Sequence, residues 1–201
     1  MRLPAKLLLL AGVVSAVAIA AYLLRAPGKP AASNPDQVTN ELCIVAPATP
    51  YDAASGLDML APKSIPADAR CPVCGMYPAR FPRWAAQTVF KDGASHYFDS
   101  PVDLIAFLQQ IERFNKRYTR KDIAVSHVTD FETGQWIEVD QAFFVQGSTA
   151  LGPMRTADLP AFSTRQSADA FARKRNGKVL TFTQVTPELI QSMNRNVHHR
   201  H

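Results

Sequence analysis

The chain has 201 residues, 47% apolar and 19% charged, a balance that fits a mostly folded protein of one or two small domains and excludes a wholly disordered chain. Its formal charge of +5 is partly an end effect, because Arg2, Lys6 and Arg25 lie in or beside an acid-free N-terminal run; without residues 1–25 there remain 19 bases against 17 acids, which argues against nucleic acid as a partner. Three cysteines are far too few for a disulfide scaffold, so each is read by its position.

Leu7 to Leu24 is an uncharged apolar stretch of 18 residues with basic residues on both sides. As a helix it would be roughly 27 Å long, close to the thickness of a bilayer core. Residues 1–25 are therefore expected to be a membrane anchor, or a cleaved signal with Ala18-Ile19-Ala20 as its cleavage site. Because Tyr22-Leu23-Leu24 would be left as an apolar stub, the anchor is favoured. Either way the remainder is expected to be exported, either anchored in the inner membrane with a periplasmic domain or free in the periplasm. Residues 26–70 carry 7 of the 15 prolines and read as a tether with one docked piece. Within it Glu41–Val45 is the one candidate strand, and Cys43 reads as a partly buried, inert thiol.

From Cys71 onward the pattern is that of an α+β fold. Trp84–Phe90 reads as a strand, Asp92-Gly93 as a hairpin turn, and Ala94–Phe98 as the returning strand. Ser100 then caps a helix with Pro101 in its first turn and Asp103 at its third position, and Leu104, Phe107, Leu108 and Ile111 supply one buried face. Ile123–Val128 is the next strand, completing a ββαβ unit over residues 71–133. Residues 134–201 repeat that order. Trp136–Gln146 is strand material and Ala161-Phe162 a short strand. A helix capped by Ser163 or Thr164 runs to about Arg175, and Lys178–Val185 is the last strand. A shift of 64 residues superimposes Phe98 on Phe162, Ser100 on Thr164 and Phe107 on Phe171, which suggests an internal duplication. Thr186-Pro187-Glu188 opens a short final helix, and His198–His201 reads as a frayed tail.

The chemistry is concentrated in Cys71-Pro72-Val73-Cys74-Gly75-Met76. As a thiol-disulfide pair it would require a low-pKa thiolate, usually placed at a helix start after a strand. As a zinc knuckle it would require a second ligand pair, and no other CxxC or HxxxH occurs. As a soft-metal site it combines thiolate with thioether, which suits monovalent copper. A plain disulfide beside a core methionine is the bland alternative. Met154, in the turn Gly152-Pro153-Met154, offers a second thioether held outward. One thiolate with neutral thioethers around Cu(I) has no net charge, so Cys74, Met76 and Met154 form the expected ligand set, with Cys71 as auxiliary ligand or transfer relay. His96 and His127 read as hydrogen-bonded strand histidines. The basic run Arg113, Lys116, Arg117, Arg120, Lys121 reads as a solvated helix end or a docking patch.

Cys71–Met76, the following Trp84-Ala85-Ala86-Gln87, the run Phe98-Asp99-Ser100-Pro101-Val102-Asp103-Leu104, and the segment from Gly147-Ser148 to Gly152-Pro153-Met154 resemble the NosL-type accessory proteins of nitrous oxide reductase. The likeness covers about residues 71–185. It implies a periplasmic, membrane-tethered copper(I) chaperone of two ββαβ units that assists assembly of the reductase's copper centres, and it implies no catalysis. By position, Cys74 and Met76 match the family's CGM and Met154 its downstream methionine. Two departures stand out: no lipidation cysteine follows the apolar run, and Phe81 lies where many members carry a histidine. The alternatives are a periplasmic thiol-disulfide oxidoreductase and a non-catalytic anchor protein of an assembly complex.

Overall fold

The computed structural model describes residues 46–198. The predicted membrane segment Leu7–Leu24, the candidate strand Glu41–Val45, Cys43 and residues 199–201 lie outside the described residues. Among those described, no helix is long and apolar enough to cross a membrane.

The mixed α/β architecture contains two antiparallel sheets. In the first, β1 (Ala86–Phe90), β2 (Ser95–Phe98), β3 (Ile123–Thr129) and β4 (Trp136–Glu138) lie in the order β2-β1-β3-β4. The β1–β2 hairpin turns at Asp92-Gly93. Gly93 takes a left-handed φ of 79° there, and the Phe90 N–H donates to the Ala94 carbonyl at 2.8 Å. In the second sheet, β5 (Phe143–Gln146), β6 (Ala161–Phe162) and β7 (Lys178–Thr181) lie in the order β6-β5-β7. Each sheet thus has its unit's first strand between the second and third, with a helix between the second and third in sequence. These helices are α1 (Pro101–Gln109) and α3 (Arg165–Arg175), separated by the single turn α2 (Ile111–Phe114) and the intervening strands. Their caps are equivalent: Ser100 accepts from the Asp103 N–H, and Thr164 from the Ser167 N–H.

The sequence periodicity assigns α1 one buried face, but every residue from Pro101 to Leu108 is buried. The helix packs on β1 and β2 and also on α4 (Pro187–His198), so it has no side left for water. In β5 the two-residue period separates two cores. Phe144 joins the main cluster with Leu104, Phe107 and Leu180, whereas Phe143 and Val145 join Phe162 and Ala168 beneath α3.

Beyond strand ends that shift by one or two residues, four features differ from those read in the sequence. Trp136–Gln146 divides: β4 pairs with β3 (Val128 opposite Ile137), so the first sheet extends beyond residue 133, and only Phe143–Gln146 belongs to the second. Lys178–Val185 leaves the sheet after Thr181 and closes in a 3-10 turn at Phe182–Gln184. The last helix has 12 residues and includes His198, which therefore is not part of a tail. The fourth difference concerns the expected tether. From Ala46 on it is a strap docked at more than the one place expected. Thr49 and Ser95 exchange two backbone hydrogen bonds of 2.8 Å along the edge of β2, and over β1 the Lys63 N–H donates to Gln87 Oε1 at 3.1 Å. A hairpin sheet commonly leaves one face to water; under this strap every residue of β1 and β2 is buried.

Candidate metal centre

The strap leads directly into the cysteine loop. The Cys71 N–H donates to the Met76 carbonyl and the Gly75 N–H to the Cys71 carbonyl, both at 2.9 Å, so the loop closes on itself. Gly75 makes this possible with a left-handed φ of 77°. Outside the loop, Arg70 donates to the Gly75 carbonyl at 3.3 Å and stacks on the Tyr77 ring, which Arg80 also approaches at 4.5 Å. The closure brings the two sulfurs together, with Cys71 fully buried and Cys74 half-buried, both as free thiols.

Opposite the thiols stands the N-terminus of α1. Asp99 precedes the Ser100 cap and Asp103 is the third helical residue, so both carboxyl groups lie at the positive end of the helix. The Cys71 thiol donates to Asp103 Oδ2 at 3.3 Å and the Cys74 thiol to Asp99 Oδ1 at 3.0 Å. One ligand atom from each of Cys71, Cys74, Asp99 and Asp103 lies within 4.8 Å of every other. Crowding so many acids together favours their protonated forms. Burial, then the charge of Asp99, raises the Asp103 carboxyl to about 6. Burial raises the Cys71 thiol, while hydrogen bonding with Cys71, then burial, raises that of Cys74.

Met154, in the second half of the chain, lines a cavity beside the two acids. Leu151 bridges to Ala157, Gly152 bonds to Thr156, and Arg155 turns the chain with a left-handed φ of 58°, leaving the Met154 side chain 41% exposed at the tip. Met154 lines a cavity of about 20 Å³ together with Asp99, Asp103 and Asp158. Asp158 is buried, its carboxyl raised by that burial to about 7. It lies so close to Gly152 that a Cβ there would come within 2.3 Å of Asp158 Oδ2.

Of the residues expected from the sequence, the fold therefore brings Cys71 and Cys74 into one cluster and places Met154 beside the two carboxylates facing them. Met76 is held next to the pair through its carbonyl, with a half-buried side chain. His96 is the hydrogen-bonded strand histidine expected, 2.7 Å from Asn115, with its ring lowered to about 4 by burial. His127 is not: it is buried, and its Nδ1 lacks a hydrogen-bond partner among the described residues. Asp99 and Asp103 were not anticipated as site residues. The available signal was an acid at the third position of a helix whose other residues up to Leu108 are all apolar. Such a carboxyl group has no solvent to face and requires a polar partner inside.

A buried and a half-buried thiol facing two carboxyls at a helix N-terminus, in a fold of two small antiparallel sheets, define a protein with a cluster able to hold a metal. The chain belongs to the NosL family, whose model matches residues 62–190. The copper-binding lipoprotein NosL of Stutzerimonas stutzeri is 32% identical over 123 residues, 60% of this chain and 64% of that relative. The copper-binding lipoprotein NosL of Achromobacter cycloclastes is 37% identical over 57 residues, 28% of this chain and 30% of that relative. The matched part thus spans less than two thirds of either relative. The crystal structure of the copper chaperone NosL from Shewanella denitrificans is similar in fold, with a TM-score of 0.55 at 24% identity, covering 64% of this chain and 98% of that one.

Proposed function

We propose that this chain is an exported, membrane-tethered carrier that binds Cu(I) and holds or delivers it for assembly of the copper centres of nitrous oxide reductase. Its role is carriage, not catalysis. The single observation that carries this reading is the meeting of Cys74 and Cys71 with two carboxyls whose cavity Met154 also lines. The copper-binding names of the family relatives support the choice of metal, and the lipoprotein names support a tether. Cys74, Met76 and Met154 are the proposed primary ligands, with Cys71 as auxiliary ligand or relay. A single thiolate with two thioethers leaves the Cu(I) site neutral, which a half-buried rim tolerates without a large desolvation penalty. The exposure of Met154 leaves one side open, so an acceptor's sulfur can attack the metal before the first ligands leave. Both thiols hold their protons in the metal-free protein, and each is hydrogen-bonded to a carboxylate that lies where the displaced proton goes. The strand order shared by the two sheets supports reading the two halves as an ancient duplication in which one half kept the thiols and the other supplies a thioether.

The thiol-disulfide reading is disfavoured by two features. An exchanging CxxC requires a stabilised thiolate, whereas burial raises the Cys71 thiol, and hydrogen bonding with Cys71, then burial, raises that of Cys74. The pair also lies in a loop followed by a single 3-10 turn, Pro78–Arg80, rather than at the start of an α-helix. Anaerobic titration of the reduced full chain with Cu(I), against a competing chelator, tests the proposal. It predicts tight binding at one equivalent, weakened by Cys74→Ser and by Met154→Ala. If both variants bind as the parent does, the ligand set is wrong. Insulin reduction that is abolished by Cys71→Ser would instead favour the oxidoreductase.

A further inference from the structure

We infer that Arg70, Arg80 and Arg83 form a docking face for an acidic protein surface and, resting on the copper-carrier reading, that this partner is the copper acceptor. From Ala69 to Phe90 the chain carries these three arginines and no acid. All three are exposed. Among the described residues the ion pairs are Arg117 with Asp92 and Arg165 with Asp169, so none of the three guanidiniums is paired with a carboxylate. They are nevertheless held in place. Arg70 and Arg80 lie 4.4 and 4.5 Å from the centre of one ring, that of Tyr77, and Arg70 also donates to the Tyr77 hydroxyl and the Gly75 carbonyl. Arg83 lies 5.2 Å from the centre of the Phe131 ring, which Trp84 meets edge-on at 5.0 Å.

Two cations gathered on one ring repel each other, and an incoming carboxylate relieves that repulsion. Stacking fixes each guanidinium plane before contact, so little side-chain entropy is lost when its N–H donors meet a planar carboxylate two at a time. The composition favours a protein partner over a lipid surface. Tyr77, Trp84 and Phe131 are half-buried beside the arginines, and arginine with tyrosine and tryptophan is the set that dominates the energetics of protein interfaces. A lipid-facing patch presents lysines and exposed aliphatic side chains, and from Ala69 to Phe90 there is no lysine and no exposed large aliphatic residue. The position also suits transfer: Arg70 is bonded to the loop that carries Cys71 and Cys74, so a partner seated on the arginines lies beside the thiols.

The test measures association of the reduced, metal-free full chain with purified copper-free nitrous oxide reductase by surface plasmon resonance. Binding of the parent that weakens with added salt is expected, and the double variant Arg80→Glu/Arg83→Glu should associate at least about tenfold more slowly. Its Cu(I) affinity should stay within about threefold of the parent's, because the substituted side chains lie outside the cysteine loop. Arg80→Lys/Arg83→Lys keeps the charge but loses the stacked plane; it should recover the association rate and dissociate faster than the parent, which separates docking from damage to the fold. Absence of binding by the parent, equal association rates for the parent and the glutamate variant, or a lysine variant as slow as the glutamate one overturns the inference. So does a glutamate variant that loses affinity for phosphatidylglycerol vesicles while binding the reductase as the parent does, since the patch is then a lipid contact. Because docking is measured without metal, failure of the parent to bind Cu(I) would remove the copper reading while leaving this comparison decisive.

Discussion

Asp158→Asn measures how a buried acid shapes the pH dependence of this fold. Asp158 is 6% exposed, and its carboxyl is raised by burial to about 7 from an unfolded value of about 3.9. Three pKa units at roughly 1.4 kcal/mol each amount to about 4 kcal/mol in all. Since the folded pKa lies above the unfolded one, the folded chain retains this proton more tightly than the unfolded chain, and stability is lost as pH rises from about 4 through about 7. His96 acts in the opposite sense: burial lowers it to about 4, so stability is lost as pH falls from about 6.5 towards that value. Both His96 and Asp103 are present in parent and variant, and to first order they cancel in the difference. Asparagine cannot ionise, and its effect on the hydrogen bond from the Leu159 N–H is a pH-independent offset. Urea unfolding of the reduced protein is the assay. Between pH 4.5 and pH 7.5 the variant should gain about 3 kcal/mol relative to the parent. A difference that stays constant over that range would refute the reasoning.

Gly152→Ala should destabilise the protein by about 1–3 kcal/mol, because the added Cβ overlaps the Asp158 carboxyl; pairing it with Asp158→Ala in a double-mutant cycle should remove most of that loss. Gly75→Ala, at a φ of 77°, should cost about 1–2 kcal/mol in the same unfolding assay and lower Cu(I) affinity, because the loop that presents both thiols no longer closes comfortably. Met154→Ala removes a side chain 41% exposed and should change stability by less than about 0.5 kcal/mol, so a clear loss of Cu(I) affinity in that variant reports ligation rather than damage to the fold.

What was legible in the sequence is what local chemistry determines. Asp92-Gly93 marks the hairpin because a left-handed turn favours glycine, and Ser100 and Thr164 mark helix starts because their hydroxyls satisfy free N–H groups. The CxxC spacing likewise places both thiols in one loop. Sheet membership is not local: nothing in Trp136-Ile137-Glu138 says that it pairs with β3 rather than with the strand that follows it. The extent of the strap's docking was not legible, because its prolines exclude regular structure without marking where the chain docks. Thr49 and Lys63 bind the sheet with single hydrogen-bonding residues that carry no periodic signature. Asp99 and Asp103 were hidden by their commonest use, since acids near a helix start ordinarily serve the cap and the dipole. Only the burial of Pro101–Leu108 and of Asp99 itself shows that these two acids have no water to face and turn instead to Cys74 and Cys71.

The central claim is that sulfur from both halves of the fold converges on one monovalent copper ion. Copper K-edge absorption of the reduced full chain with one equivalent of Cu(I) tests it most directly. The account predicts a low-coordinate shell made of sulfur alone, which loses one sulfur in Met154→Ala. A shell dominated by nitrogen or oxygen, or one identical in parent and variant, would contradict it.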